Sequence, residues 1–199
     1  MPFGLSERSD FNERIEDDFI CQCVCASAIQ NQTVGAVRFK KTRRKGKRSQ
    51  FGTGNISPLN NAALERRLKR ALAGDFSDPM FNFAKDFASA ETIVIAAPYW
   101  DLSFPALLKC YIEQISVIGL TFAYDDAGRP YGLCEADRLI YVTTSGGPMF
   151  NEDAGFGYIK SLAQSFYGIQ NVSCIKAENL DLIGADAESI LRTAEQSVK

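Results

Sequence analysis

An unbroken apolar run, Ile93 to Ala97, is closed by Pro98, and a second proline, Pro105, opens a segment in which Leu107, Leu108, Tyr111, Ile112 and Ile115 recur at helical spacing. A strand with one wet face alternates apolar and polar residues. A continuous run rich in β-branched side chains therefore predicts a strand covered on both faces, at the centre of a parallel sheet. Pro98 has no N–H to give a ladder and is expected to end the strand, whereas Pro105 suits the first turn of a helix. The fold class expected is α/β, a doubly wound parallel sheet. The loop Tyr99-Trp100-Asp101-Leu102 then lies at the carboxyl end of a buried strand, where open α/β sheets bind ligands.

The chain around this unit reads consistently from residue 55 onward. Asn60 can cap a helix running to about Ala73, with Leu64, Leu68 and Leu72 at four-residue spacing and Gly74 as its stop. Asp78-Pro79 reads as an N-cap and first helical residue, ahead of a wide apolar face of Met80, Phe81, Phe83, Ala84, Phe87 and Ala88. Leu139 to Val142 predict a second buried strand and Thr143 to Gly147 its turn, where glycines let backbone amides approach a ligand and Thr144 and Ser145 add hydroxyls. Phe156 to Phe166 predict a helix ending near Gly168, Val172 to Ala177 a last strand, and Ala187 to Val198 a terminal helix introduced by Asp186. With 199 residues, one such domain accounts for the chain.

The strand with its Pro-Tyr-Trp-Asp loop, followed by Gly119-Leu120-Thr121-Phe122-Ala123-Tyr124, Gly132-Leu133 and the strand and turn Leu139 to Gly147, resembles the FMN-dependent NAD(P)H oxidoreductases of flavodoxin-like fold, the azoreductase and quinone-reductase family. The resemblance spans about the C-terminal three quarters of the chain. It implies a flavodoxin-like sheet, bound FMN, NAD(P)H as hydride donor, a small quinone, azo or nitro compound as electron acceptor, and a homodimer. It places FMN contacts on Pro98, Tyr99, Trp100, Asp101, Leu102, Thr144, Ser145, Gly146 and Gly147, and a substrate contact on Phe122. Asp101 stands where azoreductases carry asparagine, and Ser145 where they carry arginine. An ionised carboxylate beside the flavin would disfavour its anionic reduced form. The plain alternative for Tyr99 and Trp100 is that they cover the sheet edge. No acid–base residue is expected, since the cofactor carries the chemistry.

The first 54 residues do not fit this pattern. Met1 to Asp18 show neither strand nor helix period, Phe19 to Ile29 make only a poor, cysteine-rich strand, and Gln30 to Gly54 have no apolar helical face. The opening strand and phosphate loop of a flavodoxin-like fold are thus missing or garbled. Reading the codons permitted from Asp17 onward one nucleotide later allows Met-Ile-Leu-Tyr-Val-Asn-Ala-Cys-Val-Arg-Pro-Gln-Ser-Arg-Thr, which resembles the family's opening strand and Ser-Arg-Thr phosphate loop. The division expected is an irregular, out-of-frame segment over residues 1–54 and a flavin-binding domain over residues 55–199.

Charge and cysteine usage narrow the chemistry. The chain has no histidine, which excludes Ser-His-Asp and Cys-His catalysis and His-containing zinc sites. Its six cysteines include Cys21, Cys23 and Cys25, whose alternate spacing is not that of a zinc site, so no metal is expected. No stretch is long and apolar enough for a bilayer span and no secretory signal is read at the N-terminus, so a cytoplasmic protein without membrane partners is expected. The net charge of −2 hides a basic run from Arg38 to Arg48 on an otherwise acidic chain. That run would anchor a rival nucleic-acid-binding reading, although no nucleic-acid partner is expected. The other rivals are a flavodoxin-type electron carrier and an inactive product of a frame-shifted gene.

Overall fold

A computed structural model describes residues 56–197 in full, together with the backbone of Ile20–Cys23 and Ser49–Gln50. The strands are β1 (Ile20–Cys23), β2 (Ser49–Gln50), β3 (Thr92–Ala96), β4 (Phe122–Tyr124), β5 (Pro130–Gly132), β6 (Arg138–Thr144) and β7 (Asn171–Ala177). The helices are α1 (Asn61–Leu72), α2 (Asn82–Ala88, entered through a 3-10 turn Pro79–Phe81), α3 (Ala106–Ile115), α4 (Tyr158–Leu162) and α5 (Ala187–Gln196). Two π-helical turns, Asp153–Gly157 and Ala163–Tyr167, extend α4 at either end.

Five strands form one parallel sheet in the order β2-β1-β3-β6-β7, with β3 in the middle. Side chains alternate across a strand, and along β3 Ile93 and Ile95 enter one core while Val94 enters the other. The larger core joins them to Phe87 of α2, Leu108, Tyr111, Ile112 and Ile115 of α3, and Ile159 of α4. On the opposite face, Val94, Ile140, Val142 and Ile175 meet Ala194, Ile190 and Leu191 of α5. The apolar run of β3 follows from this double cover.

Upstream of residue 55, the backbone of Ile20–Cys23 lies between β2 and β3, with Ile20 paired to Ile93. The phosphate loop, the basic run Arg38 to Arg48 and the rest of the expected N-terminal segment lie outside the described residues.

The helix signals act as capping physics requires. Asn60 accepts from the Ala63 amide at 2.9 Å and Asp186 from the Ser189 amide at 3.1 Å, each satisfying a donor left open in a first turn. Gly168 ends the α4 segment at φ +79°, a left-handed conformation that glycine adopts without penalty. β3 ends at Ala96, ahead of Pro98 as expected, although hydrogen bonds to β6 continue past it, from Ala97 to Val142 at 3.0 Å and from Tyr99 to Thr144 at 2.8 Å. One reading needs correction: Thr143 and Thr144 belong to β6 rather than to the turn. Leu64, Leu68 and Leu72 face outward from α1.

Asp78 joins α1 to the body. It accepts from the Met80 amide at 3.0 Å and pairs with Arg66 and Arg70, with its side chain only 5% exposed. The Met80 N–H, and after it Arg66, hold this carboxyl below its usual range against the opposing effect of burial. A depressed carboxyl stabilises the fold above the pH at which the unfolded chain titrates, and that contribution is lost as pH falls through the folded-state value. Asp78→Asn is therefore expected to lower the melting temperature at neutral pH, and the gap from the parent should close below about pH 3.9. A gap independent of pH would exclude the ionised carboxylate as its cause.

Candidate functional site

At the carboxyl edge of the sheet, the loops after β3, β6 and β7 meet. The β3 loop reverses over Trp100 to Ser103, where Trp100 donates to the Ser103 carbonyl at 3.1 Å and Ser103 to the Trp100 carbonyl at 2.7 Å. Its two central residues are both left-handed, Asp101 at φ +50° and Leu102 at φ +64°. Such a reversal usually carries Asn-Gly, because positive φ costs a residue with a Cβ about 1–2 kcal/mol. Two backbone positions at the tip of this loop are thus held against local preference.

What holds them is the β6 loop. The Tyr99 hydroxyl donates to the Asn151 carbonyl at 2.8 Å, and the Ser103 hydroxyl to the Ala154 carbonyl at 2.6 Å. The β7 loop braces the other side of the same turn: Ser145 donates to Ala177 at 2.9 Å, Leu180 to the Ser145 carbonyl at 3.1 Å and Asp181 to the Gly146 carbonyl at 2.9 Å. Asn179 takes φ +68° to make that return. A Cβ on Gly146 would overlap the Asp181 carboxyl group, whereas one on Gly147 would meet nothing within 4 Å. A side chain at Gly146 would oblige the Asp181 carboxyl to move, whereas Gly147 borders open space.

The expected cofactor-binding residues are therefore brought together in two adjacent loops, Pro98 to Leu102 and Thr144 to Gly147. Pro98, Thr144 and Ser145 are buried, Tyr99, Trp100, Gly146 and Gly147 half-buried, and Asp101 and Leu102 exposed. The Ser145 hydroxyl is turned onto the Gly147 carbonyl at 2.5 Å, so it braces the turn. Among the described residues, the amides of Asp101, Leu102, Gly146 and Gly147 meet no acceptor, whereas those of Trp100, Ser103 and Ser145 beside them do; Pro148, after Gly147, has no N–H. The Gly146 and Gly147 amides are half-buried, where N–H groups are nearly always paired, while those of Asp101 and Leu102 lie on an exposed loop tip open to solvent. Two neighbouring pairs of open donors along one sheet edge suit a planar ligand with acceptors along its edge, as the pyrimidine edge of a flavin has.

Phe122 is placed differently from its neighbours in this expectation. It is 8% exposed, with its ring 4.9 Å from that of Phe166 and 5.5 Å from that of Tyr124, so it anchors the β4–β5 hairpin. The residues that sequence reasoning missed are Ser103, Asn151, Ala154 and Asp181, which tie the three loops together. Three of these act through backbone groups or by close approach, which residue type does not signal; Ser103, between an exposed loop and a helix, carried no distinguishing pattern either.

No metal-binding cluster of His, Cys, Asp or Glu occurs among the described residues, and no helix there is long and apolar enough to cross a membrane. Burial pushes the Cys134 and Cys174 thiols up to about 12, which suits packed thiols rather than nucleophiles.

Residues 57–199 match a family described by its flavodoxin-like fold. The chain is 39% identical over 149 residues to FMN-dependent NADH:quinone oxidoreductase 2 of Clostridium acetobutylicum, covering 72% of this chain and 73% of that protein. It is 37% identical over 123 residues to the FMN-dependent NADH:quinone oxidoreductase of Clostridium beijerinckii, covering 61% of each. Among solved structures, an azoreductase from Bacillus anthracis superposes with a TM-score of 0.65 at 19% identity over 77% of this chain and 78% of that one. An FMN-dependent NADH-azoreductase from the same species, in complex with FMN, gives 0.62 at 22% identity over 75% of each. At those identities the structural likeness speaks for the fold.

Proposed function

The chain belongs to the flavodoxin-like family, and from that premise we propose that it is an FMN-dependent NAD(P)H oxidoreductase that passes hydride from the nicotinamide through the flavin to a small quinone, azo or nitro acceptor. The observation that carries the reading is the meeting of the β3 and β6 loops with two pairs of open amides at one crevice. The relatives named for FMN-dependent NADH:quinone oxidation support the cofactor and favour NADH as donor.

In this reading Pro98, Tyr99, Trp100, Asp101 and Leu102 line one side of the isoalloxazine, and Thr144, Ser145, Gly146 and Gly147 the other. When bound, the flavin supplies hydride acceptance and release. The chain supplies the rest: amides aimed at the polar edge, aromatic surface at Tyr99 and Trp100, and loops braced so that the site is shaped before the ligand arrives. Phe122 acts by fixing the hairpin beside the pocket, with any substrate contact secondary. The working form is a homodimer in the cytoplasm, without nucleic-acid or membrane partners.

Residues 55–199 form the flavin-binding domain, and residues 1–54 are a segment read out of frame. The shifted reading puts Tyr-Val-Asn-Ala at the four positions of β1, next to the central strand, and supplies the phosphate loop a flavin monophosphate needs.

Anaerobic reconstitution tests the proposal. The chain as given and its frame-restored counterpart are mixed with FMN, freed of excess cofactor and treated with NADH. The restored chain should stay yellow, bleach on adding NADH and recover its colour with a benzoquinone. The chain as given should retain less flavin. A folded, restored chain without flavin absorbance would refute the assignment, and flavin that binds but does not bleach would indicate an electron carrier.

A further inference from the structure

The segment that follows Gly147 is tied to its neighbours at several points, and one large side chain among those ties takes no part in making them. The Met149 amide donates to the Glu178 carboxylate at 3.1 Å, which holds the segment to the β7 loop. Two residues on, the Asn151 carbonyl accepts from the Tyr99 hydroxyl, which holds it to the β3 loop. Glu152 then pairs with Lys176 near the end of β7, and the Ala154 carbonyl accepts from Ser103. Phe150 stands between the first two ties. It is 85% exposed, more than any other aromatic residue among those described.

A single apolar residue on a surface is ordinary, and on a slack loop such a ring can turn back onto the body. Here the backbone is held on both sides of it, so the ring stays in water. The segment passes from the β7 loop to the β3 loop across the end of β6, where the Gly146 and Gly147 amides are open, and β1 lies on the other side of β3. Phe150 therefore belongs to the mouth of the crevice between the two site loops. A phenyl ring brings neither charge nor a hydrogen-bonding group. It brings a flat apolar face, which pairs with another ring by offset or edge-to-face stacking.

We propose that Phe150 is a specificity-determining residue for the electron acceptor, its ring stacking on flat aromatic quinones as they occupy the crevice. The proposal deepens the oxidoreductase reading above and rests on it.

The frame-restored full chain loaded with FMN tests it, with 1,4-naphthoquinone as the flat acceptor and ferricyanide as one that has no ring to stack. Calorimetry on the oxidised protein without NADH measures naphthoquinone binding apart from turnover. Phe150→Ala should raise that dissociation constant at least about 5-fold, and kcat/KM for naphthoquinone relative to that for ferricyanide should fall by a similar factor. Phe150→Tyr keeps the ring face and should bring both back to within about 2-fold of the parent. Unchanged naphthoquinone binding in Phe150→Ala, an equal loss with both acceptors, or no rescue by tyrosine would overturn the assignment. Loss of FMN from Phe150→Ala would also overturn it, by making the ring a cofactor contact. Bleaching of the parent's flavin by NADH is scored first. A parent that holds FMN without bleaching fails the oxidoreductase reading, whereas a parent that bleaches beside an indifferent Phe150→Ala fails this inference alone.

Discussion

Replacing Gly132 by alanine is expected to destabilise the domain by about 3 kcal/mol, as read by urea denaturation followed by circular dichroism. A Cβ at Gly132 would overlap the backbone carbonyl of Tyr167 and the amide of Gly168, and backbone on both sides leaves no side-chain rotamer to relieve the clash. The crossing is reciprocal, since a Cβ at Gly168 would lie 3.2 Å from the Gly132 Cα. This contact seats the β4–β5 hairpin, and with it Phe122, on the end of the α4 segment. Tyr167, buried at that junction, also bonds Ser116 at 2.8 Å and packs on Phe87 at 4.9 Å, so displacement there reaches the main core. A stability loss under about 1 kcal/mol would show that the hairpin can separate from the helix without cost to the rest.

Gly147→Leu should do the reverse. The Cβ position is open, so the fold should tolerate the change with a melting temperature within about 2 °C of the parent. In the proposed site the added side chain would stand where the flavin approaches the Gly147 backbone, and the FMN dissociation constant should then rise at least about 100-fold. A titration of flavin fluorescence against the frame-restored protein and this variant measures the ratio. Unchanged affinity would place the cofactor elsewhere. The two substitutions thus separate a glycine that packing requires from one that only the proposed flavin site would require, which sequence alone does not distinguish.

Much of the scaffold was readable because its causes are local. The apolar run of β3, the caps at Asn60, Asp78 and Asp186 and the stop at Gly168 each follow from one residue's conformational or hydrogen-bonding preference, and each appears where that preference puts it. The two site loops could be placed at one sheet edge because both follow buried parallel strands. What escaped reading depends on distant partners. The β4–β5 hairpin has strands of three residues, too short for a period to show, and is fixed by the Gly132–Gly168 crossing. The outward turn of α1 is set by Arg67 and Arg70 reaching Glu113, Asp75 and Asp78, against the leucine pattern that would have put the other face inside. Asp101 and Leu102 carry no glycine to announce positive φ. Their geometry is imposed by Tyr99 and Ser103 gripping the neighbouring loop.

That pair of left-handed residues bears on how the protein can be engineered. Any selection that rewards heat resistance alone will favour glycine at Asp101 or Leu102, because relaxing either one recovers free energy the native loop gives up. The same relaxation would let the tip wander and scatter the amides it now presents. Variants improved in one respect would come out paler, and colour should be scored alongside survival from the first round.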